Sequence, residues 1–154
     1  MAASPPFDLV SAHRWFSAGC FNGTWDLMDL PDRTHDQNEA LLLSAHASLW
    51  HWRQRPDVTN HQLSIGYWLL SRAHATVGQV SEARRWADRC LAVSGDEPPF
   101  FLGYAHEACA RAARLGGDQA AASRHLAAAR GLLASVDDEE ERQILERDLD
   151  ALTA

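Results

Sequence analysis

Two stretches decide the fold: Leu70-Ser71-Arg72-Ala73-His74-Ala75-Thr76-Val77-Gly78, running on to Ala83, Trp86, Ala87 and Cys90, and Cys109-Ala110-Arg111-Ala112-Ala113-Arg114-Leu115-Gly116-Gly117, running on to Ala122, His125, Leu126 and Ala129. Aligning Gly78 with Gly117 gives a period of 39 residues. Ala83 then falls on Ala122, Trp86 on His125, Cys90 on Ala129, Leu70 on Cys109 and Ser71 on Ala110. Small residues recur at equivalent points, which is where two helices can approach closely. A fixed period of this length is the mark of stacked helical hairpins, each burying its apolar face against the next.

The rest of the chain fits that pattern. Strand signals are nearly absent, because no segment alternates apolar and polar residues over six positions. Helix starts are signalled by Ser4-Pro5, Thr34 with Gln37, Thr59 with Gln62, Asp118, and Ser135 with Asp138. Stops are signalled by Gly19, Pro56, Gly78, Gly95 and Gly117. The spacing predicts helices over 5–18, 35–53, 59–77, 79–93, 98–115, 118–134 and 137–152, with an irregular segment at 20–33. The connections are short, so consecutive helices should pack antiparallel. The expected pairs are 5–18 with 35–53, 59–77 with 79–93, and 98–115 with 118–134. The last helix caps the stack through Ile144, Leu145, Leu149 and Leu152, with Asp137 to Glu141 at its positive end.

The series Leu70-Ser71, Gly78, Ala83, Cys90-Leu91 resembles the tetratricopeptide-repeat family, and Cys109-Ala110, Gly117, Ala122, Ala129 resembles a second copy. His74 and Ala87 stand where that family carries aromatic residues. The resemblance implies an all-α, right-handed stack of antiparallel hairpins in one domain over 1–154, with the clearest repeats at 59–93 and 98–134. The segments Ala45-His46-Ala47, His51-Trp52 and Trp68 to Arg72 are also similar to small bacterial helical proteins, which supplies no activity.

Composition narrows the function. The 154 residues carry 14 basic groups, all Arg, and 21 acidic ones, for a formal charge of −7. A net acidic chain without a basic block repels phosphate, so no nucleic-acid partner is expected. No apolar run approaches the ~20 residues of a membrane span, and the N-terminus lacks a secretory signal, so no membrane partner is expected. Cys20, Cys90 and Cys109 are widely spaced, which suits a reduced cytoplasmic protein using its thiols as small apolar groups.

No sequence motif of the common catalytic classes is present, so whether the chain catalyses a reaction stays open. Three readings remain. In tetratricopeptide arrays the first helix of each hairpin lines a groove. The positions matching that pattern are Trp68, Arg72, Tyr104, Glu107, Arg111 and Arg114. Their i,i+3 and i,i+4 spacings place each group on one helix face. Guanidinium forks hold carboxylates or phosphates, and Trp and Tyr offer stacking surfaces. The leading expectation is therefore a binding module for a partner peptide, a protein or a small anionic ligand. The second is a small enzyme, metal-assisted or not, with a pocket walled by Trp15, Trp25 and Trp50, in which His46 acts with His13 or His106 as acid/base or ligand. Trp50 and Trp86 also suit plain core filling. The third is a homodimer through the same faces. No cofactor is expected, and a His-bound metal belongs only to the second reading.

Overall fold

The computed structural model describes residues 5–153, so the Ser4 cap expected for the first helix lies outside the described residues. Over those residues the chain is all-helical. Its elements are α1 (Leu9–Met28), α2 (His35–Arg53), α3 (Asn60–Thr76), α4 (Val80–Val93), α5 (Pro99–Leu115), α6 (Gln119–Leu132), a 3-10 turn (Leu133–Ser135) and α7 (Glu139–Ala151). Neighbours pack in pairs, α1 with α2, α3 with α4 and α5 with α6. α3 also lies against α5, and α5 against α7. None of these helices is long and apolar enough to cross a membrane.

The repeat period has a direct backbone counterpart. Gly78 and Gly117 adopt φ of 78° and 76°, the left-handed region that ends a helix. Beyond them Gln79 N–H donates to the His74 carbonyl and Asp118 N–H to the Ala113 carbonyl, each at 2.9 Å. The two turns are the same closure made twice. The small residues at equivalent positions, Ala83 with Ala122 and Cys90 with Ala129, are all buried. Ser71 Oγ donates to the Ala83 carbonyl at 2.8 Å, which closes the α3–α4 crossing.

The first hairpin differs from expectation. The helix expected over 5–18 begins at Leu9, capped by Asp8, and continues through Gly19 and Gly23 to Met28. Most of the segment read as irregular at 20–33 is therefore helical. A mid-helix glycine costs about 1 kcal/mol, and α2 offsets that cost with a line of hydrogen bonds. Ser44 Oγ donates to the Cys20 carbonyl at 2.9 Å, and Ser48 Oγ to the Ser17 carbonyl at 2.8 Å. Phe21, Trp25, Leu27 and Met28 pack on the main core. Arg33 then closes the helix by donating to the Met28 and Leu30 carbonyls.

The remaining helices start and stop within two residues of their expected bounds. Thr34 and Gln37 form a capping box on α2. The caps of α6 and α7 are Asp118 and Asp138, and Ser135 lies in the preceding 3-10 turn. Leu145 and Leu149 of α7 are fully buried against Ala129, Phe100 and Tyr104. Gly103 lets α7 come this close, because a Cβ there would stand 2.6 Å from Leu145 Cδ2.

The two left-handed turns give a direct test. Gly78→Ala and Gly117→Ala should each lower stability by about 1–2 kcal/mol, the cost of a left-handed L-residue. Gly95→Ala, at an open turn with ordinary φ, should change it little. Urea unfolding followed by circular dichroism measures all three.

Candidate functional site

Where α3 lies against α5, α3 contributes Ile65, Trp68 and Arg72, and α5 contributes Phe100, Tyr104, Glu107, Arg111 and Arg114. Glu107 is fully buried. Its Oε2 accepts from Trp68 Nε1–H at 3.0 Å. Its Oε1 accepts from Arg111 Nε–H at 2.8 Å and from a second Arg111 nitrogen. Arg72 stands between two carboxylates, 3.6 Å from Glu107 and 3.5 Å from Asp148 of α7. Tyr104 donates its hydroxyl to the same Asp148 oxygen at 3.0 Å. Burial, with the Asp148 charge behind it, raises the Tyr104 pKa and keeps the group a phenol donor. Arg114 donates to the Leu152 carbonyl.

All six residues expected to form the groove therefore stand on neighbouring helices. Their chemistry differs from the expectation in one respect. Arg72 and Arg111 face Glu107 and Asp148, so this centre is internally neutralised and its guanidinium groups are not open clamps for an external anion. A carboxylate buried without partners would cost several kcal/mol, and the fold supplies those partners from within. Sequence reasoning missed Asp148, which was read as part of a cap. It placed Trp25 in the alternative pocket with Trp15 and Trp50, whereas its ring centroid lies 5.6 Å from that of Trp68 and 5.4 Å from the Arg72 guanidinium. A signal was available: Trp68 and Glu107 are 39 residues apart, as are Arg72 and Arg111, so the repeat sets the two pairs at equivalent positions on α3 and α5.

The network separates two openings. At one end a cavity of about 230 Å³ is lined by Ser64, Ile65, Trp68, Phe100, Phe101 and Tyr104, nearly all through carbon. At the other a cleft of about 420 Å³ is lined by Ala75, Thr76, Arg111, Arg114, Leu115 and Leu152. Arg114 itself is an exposed cation there.

The second set of expected residues does not come together. His13 bonds His51, His46 bonds His74, and His106 bonds His125, with ring nitrogens 2.8, 3.1 and 3.1 Å apart. Three separate pairs exist in place of one cluster of His13, His46 and His106, because each imidazole sits at a different helix–helix seam. The ring centroids of these pairs are 5.0, 5.3 and 5.4 Å apart, which exceeds the nitrogen separations by about two ring radii. The nitrogens therefore face each other head-on, sharing a proton. A shared metal ion would need both lone pairs aimed at a third point some 2.0–2.1 Å away. Among the described residues, the one set of three donor groups close enough to surround an ion is His35, Asp36 and Glu39, all exposed. The pocket expected from Trp15, Trp25 and Trp50 is not formed either. Trp15 and Trp50 are 72% and 55% exposed, and Trp25 packs inward on Trp68. Trp86 does fill the core, but Trp50 does not.

Two of the cysteines, Cys90 and Cys109, are inert. Burial pushes the Cys90 thiol up to about 11 and the Cys109 thiol up to about 12, far from the lowered range of reactive thiols.

Two predictions follow from this geometry. Glu107→Ala removes the shared acceptor and should cost roughly 3–5 kcal/mol, as for other broken buried ion pairs. Arg114→Ala should cost no more than about 1 kcal/mol. Thermal melts of both variants decide this. The histidine pairs set a pH dependence. Burial foremost, then the neighbouring histidine, lowers the pKa of His46, His51 and His106, and burial followed by Arg124 lowers that of His125. The unfolded chain takes up protons near pH 6.5 before the folded one does. Stability should therefore be full above about pH 6.5 and fall as the pH drops through the lowered values. His106→Gln should flatten that slope in denaturant titrations between pH 7 and 5.

Comparison with protein-family models, with curated proteins and with solved structures found no match to this chain.

Proposed function

We propose that this chain is a binding module that holds an extended segment of a partner protein, carrying an apolar side chain and a carboxylate, along its inner face. The observation that carries this reading is the pairing of a carbon-lined cavity at Trp68, Phe100 and Tyr104 with a guanidinium-lined cleft at Arg111 and Arg114 on the same two helices. Sites of this kind combine an apolar pocket with a few polar groups that fix orientation. The ten steps from Tyr104 to Arg114, the exposed cation, rise about 15 Å along the helix. An extended peptide covers that in about four residues. The ligand is thus an aromatic or large aliphatic side chain followed four residues later by an acidic one. A small anion alone would use only the Arg114 end.

We infer a right-handed, tetratricopeptide-like stack for the fold. The repeated closure at Gly78 and Gly117 supports it, as does the line of α3, α5 and α7 lying side by side. A cytoplasmic setting agrees with three unbridged cysteines.

The test uses the peptide acetyl-Phe-Ala-Ala-Ala-Glu and amide NMR. Saturable shifts are expected at the Trp68 indole N–H and around Arg111. Ile65→Trp, which fills the cavity, and Arg114→Gln, which removes the exposed cation, should each weaken binding at least fivefold. Equal binding by the Ile65→Trp variant, or no saturation at millimolar peptide, would overturn the reading.

A further inference from the structure

We propose a second ligand site in the cleft between α1 and α3, where His61 Nε2 accepts a hydrogen bond from a neutral, hydroxyl-bearing aromatic molecule. The cleft measures about 370 Å³, and its walls include Phe21, Asn22, Trp52, His61 and Ile65. That volume is in the lower part of the range for small-molecule sites and suits one or two rings.

The polar point of the cleft is set by Glu97. Its side chain is 13% exposed, and its Oε2 lies 2.8 Å from His61 Nδ1. A carboxylate only accepts, so Nδ1 carries the hydrogen, and whenever the ring is neutral its lone pair is on Nε2. Phe101, edge-on at 4.4 Å between centroids, holds the imidazole plane. Glu97 itself is fixed by the turn it belongs to, where its N–H donates to the Ser94 carbonyl at 3.1 Å. Ser94 is buried and tied to Ser64 and Cys90. Among the described residues no group of the protein bonds Nε2, and the His61 side chain is 38% exposed. This acceptor belongs to a side chain that lines the aromatic cleft, and the Glu107 network uses none of it.

The surrounding charges choose the ligand class. The Glu97 carboxylate behind the ring repels carboxylates and phosphates. The Arg55 guanidinium is paired with Asp57 at 2.9 Å and lies 3.8 Å from the centroid of the Trp52 ring, so it covers one face of that indole and offers no open cation. An ammonium group would lose its hydration against walls that are mostly carbon. What remains is an uncharged O–H donor on an apolar body, with Phe21 and Trp52 giving ring contact.

The probe is p-cresol, with toluene as the same body lacking the hydroxyl. Binding is read from the His61 ring protons and the Phe21 and Trp52 resonances. The wild-type chain should bind p-cresol at least tenfold more tightly than toluene. His61→Phe keeps a ring and removes the acceptor, so it should bind the two alike. Glu97→Gln leaves the imidazole in place but frees its tautomer, and should reduce the preference severalfold. Equal affinity for the two probes in the wild type overturns the proposal. So does a preference that survives in His61→Phe or is unchanged in Glu97→Gln, or the absence of saturable shifts at His61. This cleft shares only Ile65 with the α3–α5 cavity. The loss of either site's binding is therefore read separately, at His61 here and at Trp68 there.

Discussion

The structure depends on one buried carboxylate. Glu107 has no contact with solvent, and each of its oxygens is claimed by a donor, Trp68 from α3 on one and Arg111 from α5 on the other. Arg72 links it to Asp148 on α7. An ionised group in such a place is tolerable only when its partners are held in position, and holding them fixes the relative placement of three inner helices. Apolar burial would let α3, α5 and α7 slide by a turn. The directional contacts of Glu107 do not.

That constraint also shapes what the inner face can bind. Because the acidic groups sit among the guanidinium groups, the centre of the face is balanced, and the features left for a ligand lie at its two ends. One end is aromatic and dry, the other cationic and wet. A ligand that uses both must span the network, which favours an extended chain over a compact ion. The cleft by His61 follows a different principle, in which a single carboxylate presets one imidazole nitrogen as an acceptor. The two sites share a wall at Ile65 and differ in the charge they accept.

Much of the fold was legible because it rests on local chemistry. Gly78 and Gly117 announce their left-handed turns, and Thr34 and Asp118 announce helix starts. The alternation of Ala, Ser and Cys at 39-residue intervals marks the crossings. The first hairpin was not legible. Gly19 reads as a breaker, and what overrides it is a pair of serine hydroxyls on α2, a tertiary contact with no local trace. The six residues expected at a groove follow from the tetratricopeptide resemblance and share helix faces by their spacing, but their ion pairing was not legible, since Asp148 reaches them from a helix, 41 residues beyond Glu107. Histidine pairing was hidden for the same reason. Each imidazole has its partner across a helix–helix seam. The exposure of Trp50 shows the limit of composition: a large indole on an amphipathic helix need not point inward.

The central claim is that Glu107 ties α3 to α5 through the Trp68 indole. A double-mutant cycle between Trp68→Phe, which deletes only the N–H, and Glu107→Gln, which deletes only the charge, measures that tie in urea unfolding. Hydrogen bonds to charged groups contribute about 1.5–3 kcal/mol, so the two substitutions should be coupled by about 1.5 kcal/mol or more. Additive effects, with coupling near zero, would contradict the account.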